Sequence, residues 1–354
     1  MTAHGGPENV EVTLARYAAL TRDAMRRHLG DRGPDRYLYN LVRDYPSRDG
    51  KGLRPALLLA TCQAFGGSVD DALGPAVAIE LAHNAFLVHD DIEDGSRQRR
   101  GKPTLHHLYG TPLALNAGDA LAVLAFRPLR DGTRLSERLS RRVSDEFLEM
   151  LTRTIEGQST ELGWRAENVV ELEPSDYLGL IAQKTSWYTT VWPLRVGALI
   201  GSAGTAPLEA LTRFGFYLGA AFQIRDDLLN LVGSTDRYGK DLLGDIREGK
   251  RTLMLIHLLG SASTTERRDI IAFLARAGQL NAGIMDHGEA LDNDARAVLD
   301  LMVRHGSLDF ASQFGQGVAA AAYQSFHDAF ADVCPSESRD FIEALVPYML
   351  ERVG

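Results

Sequence analysis

Residues 76–94, AVAIELAHNAFLVHDDIED, decide how this chain is read. The 19-residue run holds no glycine or proline and is rich in apolar residues, so it reads as a long helix. It ends in an acid cluster, Asp90-Asp91-Ile92-Glu93-Asp94. Positions i and i+4 share a helical face, so Asp90 and Asp94 point the same way. Carboxylates about 4 Å apart repel by roughly 4 kcal/mol at an effective dielectric near 20, so something must offset them. Divalent cations would. The arginines that follow, Arg97, Arg99 and Arg100, would in part, and they are also good phosphate binders. The plainer alternative is a solvated helix end with salt bridges.

A second cluster, Asp226-Asp227-Leu228-Leu229-Asn230, repeats the i, i+1, i+4 spacing of oxygen ligands. It closes another helical run, opened by Pro207 and reaching about Val232. Two matched clusters point to a pocket for several divalent ions. Magnesium usually binds through a few carboxylates plus substrate phosphates.

Elsewhere the pattern stays helical. Pro55 reads as a helix start and Gly66-Gly67 as its stop. Ser68, followed by Asp70 and Asp71, opens the next helix. A further helix spans Ala114 to Phe126, and residues 127–142 are a basic, solvated connection leading into another. Ser175 reads as the cap of a helix interrupted near Lys184-Thr185. From Thr264 to the end the helical pattern carries no motif. Strand-like alternation is scarce, so the fold class is all-α. Residues 1–11 read as a disordered N-terminus and 12–354 as a single domain. The acid clusters lie 136 positions apart, so serving one site requires their helices to face each other across a bundle core.

Composition narrows the partners. The net charge of −9 argues against nucleic acid. An anionic substrate must then be met by local bases or metals. Two cysteines, Cys62 and Cys334, are too few for a disulfide framework, so a cytoplasmic location is expected. No apolar run is long enough to suggest a membrane span. Local bases are at hand. Lys51 and Arg54 in Gly50-Lys51-Gly52-Leu53-Arg54-Pro55 stand where a helix start offers free N–H groups to an anion. An ordinary basic cap would read the same. His83 is seven residues before Asp90, hence on about the same face, where a core histidine is the simpler account. Downstream of the second cluster, Lys240, Lys250 and their acidic neighbours suit metal-bound phosphate or a surface charge run.

Together these pieces resemble the trans-polyprenyl diphosphate synthases, the head-to-tail isoprenyl chain elongators. The likeness spans about Gly50 to His257. It is carried by GKGLRP, by HDDIEDGS with RRGKPTLHH, and by FQIRDDLLN with YGKDLLGDIREGKRT. The resemblance implies a single-domain antiparallel helix bundle of the isoprenoid synthase type with a central cavity, a homodimer, and about three Mg²⁺ ions. It also implies two substrates, isopentenyl diphosphate and an allylic diphosphate, and a short-chain product, geranylgeranyl diphosphate first and farnesyl diphosphate next.

Carried over position by position, it makes Asp90 and Asp94 Mg²⁺ ligands on one side of the allylic diphosphate, with Asp91 supporting, and Asp226 on the other, with Asp227 behind it. Arg99, Lys184, Lys240 and Lys250 would hold that diphosphate. Lys51, Arg54, His83 and Arg100 would hold isopentenyl diphosphate. Thr185, Tyr188 and Gln223 would line the path of the allylic cation. Phe86, one turn before Asp90, would be the floor that limits product length; packing alone would also explain it. The chain departs from the family's pattern at Gly52, often basic, and at Asn230, often Asp.

Rival readings have weaker support. A class I terpene cyclase would want Asn, Ser/Thr and Glu at spacings of four, but this chain has Asn230, Ser234 and Tyr238. A non-catalytic subunit would typically have lost an acid motif. A di-metal carboxylate bundle would want Glu-x-x-His pairs, and none lies near either cluster.

Overall fold

The computed structural model describes residues 7–48, 50–130, 134–232, 243–281 and 289–351. Among these residues the fold is all-α, as expected, apart from one two-stranded hairpin, Gln98–Arg99 with Lys102–Pro103. None of the described helices is long and apolar enough to cross a membrane.

The first acid helix, Val69–Glu93, is capped by Ser68, whose Oγ accepts from the Asp71 N–H at 3.3 Å. It packs against Leu53–Ala64 on one side and Thr111–Leu124 on another. The second acid helix, Leu208–Val232, packs against Ser307–Ala329 and against a helical segment that begins at Pro174. A 30-residue helix, Glu137–Ala166, lies against that same segment. Buried apolar side chains form one continuous cluster running through these helices. Aromatic contacts fill it, among them Phe147 edge-on to Trp192 at 5.3 Å and Phe326 stacked on Phe330 at 4.7 Å.

Several boundaries differ from the sequence reading. The first helix begins at Pro7, so residues 7–11 are helical and Val10 is buried in the core. Pro55 is the third residue of its helix, which starts at Leu53. The Ala114–Phe126 helix is Thr111–Leu124, and the basic connection contains a 3₁₀ turn, Arg127–Leu129. The helix assigned to a Ser175 cap starts two residues earlier, with Glu173 as its cap. Its capping box pairs Glu173 with Asp176, and Pro174 occupies the first turn.

The interruption near Lys184-Thr185 is not a break. Pro174–Ile181 continues through a π-helical stretch, Ala182–Val191, into Trp192–Gly201. Such i→i+5 turns are rare and cluster at functional sites. Here the stretch re-aims Lys184, Thr185 and Tyr188 towards a central cavity.

Candidate active site

The cavity holds about 840 Å³, within the range of small-molecule sites. Asp90 and Asp94 line it from the first acid helix, Asp226 from the second, and Lys184, Thr185 and Tyr188 from the π-helical stretch. Arg54, His83, Phe86, Arg99, Gln223 and Lys250 also line it. The structure thus gathers most of the expected site into one space. Lys240 lies outside the described residues.

The paired aspartates divide their duties. Asp90 and Asp226 face the cavity; Asp91 and Asp227 do not, although both were expected among the metal-binding residues. Asp91 is fully buried. It accepts from the Tyr45 hydroxyl and from Arg99, whose Nε and Nη2 lie 2.9 and 2.5 Å from Oδ1. Asp227 accepts from the Tyr177 hydroxyl at 2.8 Å, from Gln223 Nε2 at 2.7 Å and from Lys250 Nζ at 3.0 Å. Adjacent residues on a helix point about 100° apart, so one of each pair enters the cavity and the other anchors the wall. The partners leave clear electrostatic marks. Burial, then Asp91, raises the Tyr45 pKa; burial, then Asp227, raises that of Tyr177. Burial opposes charge on Lys250, but Asp227 and Asp245 hold it well above the usual lysine range.

Two expected substrate-binding residues stand apart from the cavity. Lys51 is exposed and does not line it. Arg100 sits at the tip of the hairpin with φ 53° beside Gly101 with φ 71°, the two positive dihedrals of a tight hairpin turn. Its Nη1 donates to the Arg48 carbonyl at 2.9 Å, which aims it at a neighbouring small cavity lined by Arg22, Gly50 and Glu80. Arg54 and His83 do face the main cavity. Arg54 lies 4.2 Å over the Tyr188 ring, donates to Thr189 Oγ1 at 2.9 Å and stands 3.4 Å from His83 Nε2. The Tyr188 ring is also edge-on to Phe86 at 5.5 Å, so one aromatic joins the basic side of the cavity to its apolar side. Leu151 and Ala122 add further apolar lining.

Both departures have local causes. Gly52 has φ 61° and a Cβ there would meet Ala18 Cβ at 2.7 Å, so a basic side chain would be both strained and crowded. Asn230 Oδ1 accepts from the Asp245 N–H at 3.1 Å and its carbonyl from Leu243 N–H at 3.1 Å. It ties the end of the second acid helix to the chain at 243–245.

The sequence reading missed the face of Glu137–Ala166 that meets the first cluster. Gln158 Nε2 donates to Glu93 at 2.6 Å and Arg165 Nη1 to Asp94 Oδ1 at 2.5 Å. Between them Glu161 Oε1 accepts from Lys184 Nζ at 2.5 Å. Gly157 brings this helix against the Lys184 backbone. A signal existed: Thr154, Gly157, Glu161 and Arg165 recur at helical period as one stripe, and all are buried. Burial would raise the pKa of Glu161, but Lys184 and Lys250 pull it below the ordinary value.

The donor set fits a hard divalent cation. Burial, then the neighbouring Asp90, pushes the Asp94 carboxyl up to about 6 despite Arg165 and Lys184. A cation bound beside Asp94 would offset both the lost hydration and the charge of Asp90. Among the described residues no three His, Cys, Asp or Glu side chains converge as a ready-made metal cage. Magnesium does not require one, since it keeps waters and takes substrate phosphate as ligand.

Known proteins share the sequence pattern and the fold of this chain. A family model described as polyprenyl synthetase matches residues 35–285. The chain is 29% identical over 340 residues to the short chain isoprenyl diphosphate synthase of Methanothermobacter thermautotrophicus, covering 96% of this chain and 97% of that one. Among solved structures, it is similar to geranylgeranyl pyrophosphate synthetase from Pyrococcus horikoshii, with a TM-score of 0.84 and 30% identity over 98% of this chain and 99% of that one. It is also similar to polyprenyl synthase from Caulobacter crescentus complexed with calcium and isoprenyl diphosphate, with a TM-score of 0.83 and 26% identity over the whole of both chains.

Proposed function

Since the chain belongs to the polyprenyl synthetase family and is a prenyltransferase, we propose that it condenses isopentenyl diphosphate with an allylic diphosphate, in a Mg²⁺-dependent reaction, to geranylgeranyl diphosphate. The observation that carries this reading is one cavity with carboxylates from two acid helices, lysines beside them and an apolar wall at Phe86 and Leu151.

In this mechanism Asp90 and Asp94 would hold Mg²⁺ on one side of the allylic diphosphate and Asp226 on the other, with about three ions in all. Bound there, Mg²⁺ supplies positive charge to the diphosphate oxygens as the carbon–oxygen bond breaks. Lys184 and Lys250 add fixed positive charge, and Arg99 braces Asp90 and Asp91. Thr185 donates to Gln223 Oε1 at 3.2 Å, which sets the amide dipole beside the path of the allylic cation. The Tyr188 ring offers its negative face to the same cation. Isopentenyl diphosphate enters from the side of Arg54 and His83, and its double bond attacks the cation. The proton then lost goes to the departing diphosphate. An apolar wall keeps water from the cation.

We read the chain as one catalytic unit, supported by its single continuous core. We also take it to work as a homodimer in the cytoplasm. Exposed Leu115, Val123, Leu148 and Ile155, on the two helices that supply Ala122 and Leu151 to the cavity, support the dimer; two free cysteines support the location.

The test is incubation of purified protein with Mg²⁺, isopentenyl diphosphate and each of dimethylallyl, geranyl and farnesyl diphosphate. Chain-extended diphosphates ending at twenty carbons are expected. A hydrocarbon or alcohol formed without isopentenyl diphosphate would identify a cyclase instead, and no turnover together with binding to a partner synthase would point to a non-catalytic subunit.

A further inference from the structure

We propose that Glu161 is a positioning residue of this site, holding Lys184 with one carboxylate oxygen and accepting hydrogen bonds from cation-bound water with the other. The inference rests on the Mg²⁺–diphosphate reading above.

Two observations carry it. Glu161 is 3% exposed and its Oε1 holds Lys184 Nζ at 2.5 Å, while Lys184 Nζ stands 3.9 Å from Asp90 Oδ1. Its Oε2 is buried and has no hydrogen-bond partner, yet the residue lines the cavity. Buried polar atoms in folded proteins nearly always have partners, and a carboxylate oxygen can only accept. The missing partner is therefore a donor that arrives with the ligand.

Position identifies the donor. Glu161 lies between Gln158, bonded to Glu93, and Arg165, bonded to Asp94. It is thus in register with the first acid cluster. Glu161 already gives its Oε1 to Lys184, which leaves Oε2 as the acceptor. Magnesium keeps several of its waters, and those waters need acceptors. Lys184 is held through Glu161 Oε1, so the other oxygen, Oε2, is left for a donor that arrives with the ligand.

Glu161→Gln separates the two duties. The amide oxygen still serves Lys184, and the NH₂ now turns a donor towards the water. Two readouts are needed: turnover against Mg²⁺ concentration, and the thermal stabilisation produced by Mg²⁺ with inorganic pyrophosphate. The half-saturating Mg²⁺ should rise about 10–100-fold in both, with the KM for isopentenyl diphosphate unchanged. Glu161→Asp, which retracts both oxygens, should give a smaller rise and serves if the glutamine variant does not fold. Wild-type Mg²⁺ dependence in a folded variant of either kind would overturn the proposal, leaving Glu161 a counter-ion of Lys184. Failure of the wild-type protein to respond to Mg²⁺ and pyrophosphate would instead overturn the functional reading itself.

Discussion

Gly157→Ala is the sharpest test of how the lysine is placed. A Cβ at Gly157 would lie 2.7 Å from Lys184 Cα and 2.9 Å from Lys184 Cβ, and closer still to the Lys184 nitrogen. Ordinary contact begins near 3.4 Å, so the Glu137–Ala166 helix and the π-helical stretch must part by about 1 Å to clear the Lys184 nitrogen. Overpacking of this kind costs about 1–3 kcal/mol. Alanine in a helix interior returns about 1 kcal/mol relative to glycine, leaving a net loss of about 0–2 kcal/mol. At about 2.1 cal/mol/K of unfolding entropy per residue, Tm falls by less than about 3 °C. Activity should suffer far more, because a displacement near 1 Å can cost about a hundredfold in rate. Steady-state turnover and thermal unfolding of the same preparation make the comparison. A variant with wild-type turnover would refute the idea that this close approach sets Lys184. A variant that loses Tm and turnover in proportion would mean general unfolding.

The paired aspartates give opposite phenotypes. Asp90→Ala and Asp226→Ala should each lower turnover by orders of magnitude with Tm nearly unchanged, and near-normal rates in either would be fatal to the metal assignment. Asp91→Ala removes the partner of a buried arginine, Arg99, and should destabilise by about 3–5 kcal/mol, or about 4–7 °C in Tm. An undiminished Tm would mean that Arg99 and Tyr45 find other partners. Phe86→Ala should lengthen the products seen by chromatography, since it removes a large ring from the cavity lining; an unchanged profile would make Phe86 packing alone.

Much of this was legible along the chain. Helicity, the Ser68 cap and the shared face of Asp90 and Asp94 follow from local periodicity and local hydrogen bonding, which operate within a turn or two. The same locality explains the errors. Ser175 and Glu173 are both credible caps, and Pro174 in the first turn settles the choice. Lys51 and Arg100 share the charge of Arg54 but not its direction, because the hairpin turn and the Arg48 carbonyl aim Arg100 elsewhere.

The chain alone determined that two helices end in matched acid clusters. Tertiary structure decided which acid of each pair meets the cavity, since that depends on Tyr45, 46 positions from Asp91, and on Tyr177, 50 positions from Asp227. It also decided that Glu161, marked in sequence only by a helical stripe, lies between Gln158 and Arg165 where these meet the first cluster. A charge written in sequence has magnitude but no direction; packing supplies the direction, because a buried carboxylate persists only where distant donors reach it.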